Sequence, residues 1–97
     1  MADFAPAHPG EVLREDYLKP LGMSQYALAK ALDVPQIRVS EIVNAKRAIT
    51  PDTALRLARF FGTSAEFWLG MQATWDLEMA RDKVGAAIEA RVQPRAA

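Results

Sequence analysis

Between Pro35 and Asn44 the sequence sets Gln36, Ile37, Arg38, Ser40 and Glu41 among the apolar residues Val39, Ile42 and Val43. If the segment is a helix, Val39, Ile42 and Val43 form one inward stripe and the other residues lie on the remaining faces. Those residue types suit the reading of base edges. A glutamine near a helix N-terminus, as Gln36 would be, pairs bidentately with adenine N6 and N7, and Ile37 fits a thymine methyl. Glu41 can accept from cytosine N4, although a carboxylate beside phosphates needs a cation, for which Arg38 is the expected partner. Arg38 itself suits either guanine or phosphate. Ser24 and Gln25 open the preceding helix, where Gln25 can bond a phosphate with the helix N-terminus behind it. Lys46 and Arg47 follow the segment and would add phosphate contacts that release counterions. Each of these residues alone is ordinary on a solvated helix face; their joint placement is what points to DNA.

That placement needs two short helices joined by a tight turn. Ser24 suits the N-cap of a helix reaching Leu32, with Leu28, Ala29 and Leu32 buried and the small Ala29 allowing a close crossing. Asp33-Val34-Pro35 interrupts it, because the residue before a proline is driven out of the α region; Val34 is expected to plug the turn and Pro35 to take the first position of the next helix. Upstream, His8-Pro9-Gly10 opens a helix carrying Val12, Leu13 and Tyr17, which Pro20 and Gly22 should stop. Downstream, Thr50-Pro51-Asp52 starts a helix with Ala54, Leu57, Ala58 and Phe61 inward and Gly62 just past its end. Thr63-Ser64 caps a last helix from about 64 to 90, weakened at Gly85, with a frayed tail over 91–97. The expected architecture is all-α, about five helices in one domain spanning 1–97, its helix-turn-helix core over about 8–70.

Composition excludes several other functions. With no cysteine and one histidine among 97 residues, neither a disulfide, a thiolate metal site nor a nucleophile–base pair can be assembled. No Gly-rich phosphate loop is present, so no enzyme, cofactor or metal is expected. His8 reads as a residue at the start of a helix rather than a ligand. No apolar run approaches the roughly 18 residues of a membrane span, and a cytoplasmic protein is expected. The net charge is zero but unevenly spread. Residues 1–20 are acidic (Asp3, Glu11, Glu15 and Asp16 against Arg14 and Lys19), and residues 62–97 are slightly so. Residues 21–61 carry the only positive excess, Lys30, Arg38, Lys46, Arg47, Arg56 and Arg59 against Asp33, Glu41 and Asp52. A basic middle between acidic ends suits one surface for phosphate and another for a basic partner.

The succession His8-Pro9-Gly10-Glu11-Val12-Leu13-Arg14-Glu15, then Leu18 to Ser24, Ile49 to Asp52, Ala54 to Ala58 and Phe61 to Trp68, resembles HigA-type antitoxins, lambda-repressor-like (XRE) regulators of bacterial toxin–antitoxin modules. The resemblance runs from His8 to about Leu77. It implies a homodimer that represses its own operon at palindromic operators and silences a HigB-like toxin, a small basic mRNA-cleaving ribonuclease. Under that implication the acidic first helix, with Glu11, Glu15 and Asp16, is a candidate toxin-facing surface. The chain departs from the family at Ala45, where glycine is usual, so that Asn44 is expected to take the left-handed conformation; it also has Trp75 where tyrosine is more common.

Trp68, Met71, Trp75 and Met79 form an apolar stripe on the last helix and are candidates for the dimer interface. Closure of the core competes for the stripe: Phe67 and Trp68 suit the core, and Trp75 and Met79, further along, suit an interface. Two other readings remain compatible with these residues, a repressor with no toxin and an interaction module whose helix-turn-helix no longer binds DNA.

Overall fold

The computed structural model describes residues 6–96. Five helices follow one another, and no strand occurs among the described residues. Helix α1 (residues 9–21) starts as Pro9–Val12, widens into a π-helical stretch over Leu13–Leu18 and closes as Lys19–Leu21. Helix α2 is Gln25–Leu32, α3 is Gln36–Val43 and α4 is Pro51–Phe61. Helix α5 begins as Ala65–Ala80 and continues through a π-helical turn, Arg81–Gly85, into Ala86–Arg91.

Local chemistry explains most of the boundaries. The Oγ of Ser24 accepts from the Ala27 N–H at 3.0 Å, that of Ser64 from Phe67 at 3.0 Å, and the Oγ1 of Thr50 from Thr53 at 3.4 Å. His8 does the same for α1, its Nδ1 accepting from the Gly10 N–H at 2.9 Å while Pro9 fills the first turn. Gly22 and Gly62 close α1 and α4 in the left-handed region, at φ 61° and 74°. Pro20 does not stop α1, contrary to the sequence expectation; Gly22 does. In a regular turn the proline ring would strike the carbonyl four residues back, and the π-helical stretch just ahead of Pro20 widens the helix where that clash would fall. Pro35 is likewise the N-cap of α3, with ψ 146°, and not its first helical residue.

The helices close around a core of Leu13, Leu18, Leu28, Ala29, Leu32, Val39, Ile42, Val43, Ile49, Ala54, Leu57 and Trp68. Tyr17, Val34, Phe61 and Met71 pack on it from the sides. Trp68 is fully buried, and its Nε1 donates to Thr63 Oγ1 at 2.8 Å, so it belongs to the core and is withdrawn from the candidate interface. Its ring lies 5.2 Å from that of Tyr17, which in turn lies 4.8 Å from Phe61. Phe67, expected inside, is 40% exposed: it precedes Trp68 on the helix and therefore faces a different side.

The joints between elements depend on residues far apart in sequence. Gly10 packs on the backbone of Ile42 so closely that a Cβ there would overlap the Ile42 carbonyl, which seats the start of α1 against the end of α3. Gln72 of α5 is buried; its Oε1 accepts from the Ile49 N–H at 2.8 Å and its Nε2 donates to Asp76 Oδ1 at 2.9 Å. That side chain ties the loop between α3 and α4 to the last helix.

Beyond this core the molecule is elongated. Its radius of gyration is 16.4 Å and its extents are 53 × 28 × 22 Å, against about 13 Å expected for a compact domain of this size. The end of α5 accounts for the difference: from Arg81 to Ala96 every residue except Gly85 is exposed.

Candidate nucleic-acid interface

Helices α2 and α3 pack on each other across the turn Asp33-Val34-Pro35. Asp33 takes the left-handed conformation at φ 58°, and the Val34 N–H donates back to the Ala29 carbonyl at 3.0 Å, which reverses the chain within one residue of the end of α2. Val39, Ile42 and Val43 anchor α3 from behind, each at most 2% exposed. Gln36 and Ile37 stand outward at the N-terminal end, Ile37 60% exposed, with Ser40 and Glu41 half-buried beside them. The proline N-cap has no side-chain oxygen to offer the first turn of α3.

Around α3 lie the residues expected to grip phosphate. Ser24 and Gln25 open α2; the Ser24 oxygen is engaged by Ala27 but its O–H can still donate outward. Lys46 and Arg47 are exposed in the loop that follows α3. The path of that loop differs from expectation. Ala45 holds the left-handed conformation at φ 59°, whereas Asn44 stays at φ −95°. Asn44 uses its side chain instead, Nδ2 donating to the Ser40 carbonyl at 2.9 Å, so the reversal falls on the next residue. A left-handed alanine costs about 1–2 kcal/mol. The Lys46 N–H closes the turn on the Glu41 carbonyl at 2.8 Å.

The ion pairs also differ from the expected ones. Glu41 is paired with Arg47, at 2.6 Å from its Nη2, not with Arg38. Arg38 instead reaches Asp52 in the first turn of α4, 2.8 Å from Nη1 to Oδ2. The same oxygen receives Arg56 Nε at 3.0 Å, and Arg56 Nη1 donates to the carbonyls of Leu32 at 2.9 Å and Asp33 at 3.1 Å. The guanidinium groups of Arg56 and then Arg38 hold the Asp52 carboxyl below the usual carboxylate range. The Asp52–Arg56 pair could have been read from its helical spacing. Nothing local connects Asp52 with Arg38.

The acidic residues of α1 divide. Glu11 and Asp16 are exposed, but Glu15 is bound by Arg14 at 2.8 Å and Lys19 at 2.9 Å, which lowers the pKa of its carboxyl. Of the remaining interface candidates, Met71 is half-buried against the core, Trp75 packs edge-on against His8 at 5.3 Å between ring centroids, and Met79 is 38% exposed. Leu77, Val84 and Ile88 in the second half of α5, and Val92 just past its end, are exposed and were missed in the sequence. Their helical spacing was the available signal, hidden by the aromatic stripe before it.

Comparison with known proteins places this arrangement. A family model described as helix-turn-helix matches residues 15–68. The chain is 62% identical over 73 residues to virulence-associated protein I of Dichelobacter nodosus, covering 75% of this chain and 68% of that protein. A solved addiction module antidote protein of the HigA family from Coxiella burnetii is similar at 50% identity and a TM-score of 0.90, over 95% of this chain and 100% of that one. The Pseudomonas aeruginosa antitoxin HigA, solved with the higBA promoter, is similar at 42% identity and a TM-score of 0.92, over 94% and 99%.

Proposed function

This chain belongs to the lambda-repressor-like helix-turn-helix family, among its HigA-type antitoxins, and we propose that it is a sequence-specific DNA-binding antitoxin that represses its own operon as a dimer and neutralises a HigB-like ribonuclease. The observation that carries the DNA reading is the outer face of α3: Gln36 and Ile37 stand exposed at its N-terminal end while Val39, Ile42 and Val43 fix its back in the core. Such a helix enters a major groove with its N-terminal side chains against base edges. Gln36 then reads adenine and Ile37 a thymine methyl, with Ser40 and the Arg47-paired Glu41 lying alongside. Ser24, Gln25 and Lys46 hold the phosphates on either side.

Two half-sites require two copies. The projecting end of α5 supplies the means, since an isolated helix of this length is marginal in water and this one exposes Leu77, Val84 and Ile88, with Val92 just past its end. Pairing along that stripe, with Met79 beside it, covers apolar surface that the chain's own core leaves open. The exposed carboxylates Glu11 and Asp16 on α1, with Glu15 behind them, offer a basic toxin a surface separate from α3. No helix among the described residues is long and apolar enough to cross a membrane, and the proposed place of action is the cytoplasm.

Gel shift with duplexes that the chain selects from a random-sequence pool tests the DNA reading. Specific complexes whose affinity falls steeply with salt are expected; failure to enrich any duplex at low salt would leave an interaction module as the better account. Co-expression with a basic ribonuclease encoded beside the gene tests the antitoxin reading. Growth rescued by this chain is the expected result, and the lack of such a neighbour would favour a repressor acting alone.

A further inference from the structure

We propose that Arg38 and Asp52 form a positioning pair that sets the angle of α3 against its scaffold, with Arg56 extending the brace to the turn, and that Arg38 does not itself contact DNA. The inference rests on the DNA-binding reading above and assigns work within it. Arg38 leaves the first turn of α3 and ends on α4, its guanidinium 2.8 Å from Asp52. With 29% of its side chain exposed, it is the least exposed cation of the ion pairs among the described residues. Asp52 gives the same oxygen to Arg56, and the other arm of Arg56 bonds the carbonyls of Leu32 and Asp33.

The connection therefore runs from α3 to α4 and back to the junction between α2 and α3. It closes a ring of polar contacts around the helix-turn-helix. Helix α3 has only eight residues, and its buried anchors hold one side of it. A tether from its first turn restrains the rotation and tilt that those anchors leave free. Placement of that turn matters most, because Gln36 and Ile37 sit on it and a shift near 1 Å spoils a bidentate contact.

Electrostatics makes the assignment testable by sign. Asp52 is an exposed anion beside a surface meant for phosphates. If Arg38 gripped DNA, Asp52 would compete for it, and Asp52→Asn would strengthen binding. If the pair positions α3, Asp52→Asn must weaken it although a negative charge is removed.

The experiment measures affinity by fluorescence anisotropy across a salt series, on a duplex selected by the wild-type chain and on a random-sequence duplex. Asp52→Asn and Arg38→Gln are each expected to lose about tenfold on the selected duplex. On the random-sequence duplex Asp52→Asn should lose nothing, because an anion is removed, and both variants should keep the thermal midpoint, since exposed pairs add little to stability. The double variant should be no weaker than either single one, Arg38→Lys should recover part of the loss, and Arg38→Gln should keep the wild-type salt slope. Tighter binding by Asp52→Asn, or a salt slope reduced by about one in Arg38→Gln, would overturn the proposal. Should Arg38→Gln fail to fold, the sign of the Asp52→Asn effect decides alone. Wild-type chain that selects no duplex at all overturns the DNA reading itself, whereas wild-type selection with the opposite sign at Asp52 overturns only the positioning pair.

Discussion

Gly10 of the first helix rests directly on the backbone carbonyl of Ile42, one residue before the end of the proposed recognition helix. No side chain fits between them, so the seating of α1 on α3 depends on the absence of a Cβ. Gly10→Ala must move one helix off the other. Because the obstructing atom is backbone, relief by a rotamer change is closed, and a loss of about 1–3 kcal/mol is expected. In a domain of this size each kcal/mol lowers the thermal midpoint by roughly 4–8 °C, which calorimetry would detect. An unchanged midpoint would mean that α1 is not seated as described.

Gln72 holds the loop before α4 through the Ile49 N–H, and both residues are buried. Gln72→Leu keeps the volume but leaves that N–H without its acceptor. The expected cost is about 1–3 kcal/mol, read as a lower denaturant midpoint. The substitution touches neither α3 nor the stripe on α5, so binding measured well below the midpoint should change little.

These two contacts mark where the sequence stops being legible. Helix starts at Ser24, Thr50 and Ser64, and the glycine ends at Gly22 and Gly62, are set by chemistry within three or four residues and can be read directly. The inward stripe of α3 is likewise periodic. Pro20 misleads because its effect depends on whether the helix ahead of it widens, which is a property of the whole turn. The pairings of Gly10 with Ile42, Ile49 with Gln72 and Arg38 with Asp52 span 32, 23 and 14 residues and carry no local signal. The aromatic stripe is legible only in part: Trp68 lies in the core as its place near the helix start suggests, but nothing local shows that Phe67 beside it is left 40% exposed.

His8 makes stability depend on pH. Its Nδ1 must be unprotonated to accept from Gly10, and burial lowers its pKa below the ordinary 6.5, opposed in part by the charge of Asp76. A folded pKa below the unfolded one means that the unfolded chain binds protons first as pH falls. The contribution is therefore complete above about 6.5 and is lost as pH falls from there through the folded pKa. Asparagine can cap the helix without titrating. His8→Asn is expected to flatten the denaturant midpoint over that window, and a wild-type midpoint already flat below pH 6.5 would contradict the assignment.

Gln36→Ala tests the proposed base contact. One bidentate pair is worth about 1–3 kcal/mol of discrimination. The loss should fall on a single base pair in each half-site, leaving affinity for duplexes already altered there unchanged. A uniform loss across all variants of the selected duplex would instead assign Gln36 to phosphate or to the fold. Gln36 is exposed at the start of α3, so the substitution should leave the fold intact, and a melting curve taken alongside separates the two effects.

Ile88 offers a way to separate the fold from the proposed dimer. It lies 51% exposed on the projecting end of α5, one turn after the exposed Val84 and shortly before Val92, which caps the helix in an extended conformation. Residues 86–91 are all exposed and pack chiefly on the π-helical turn before them. A glutamate at 88 therefore costs the monomer little, yet in a pairing seam it would bury one charge from each copy beside its counterpart. Ile88→Glu should halve the sedimentation mass at micromolar concentration and leave the melting of the helix-turn-helix core near its wild-type value. Binding to a selected duplex should then lose its cooperativity, because each half-site must be filled by a separate chain. A variant that stays at wild-type mass would move the seam elsewhere, and the half-buried pair Met71 and Trp75 would be the next place to test.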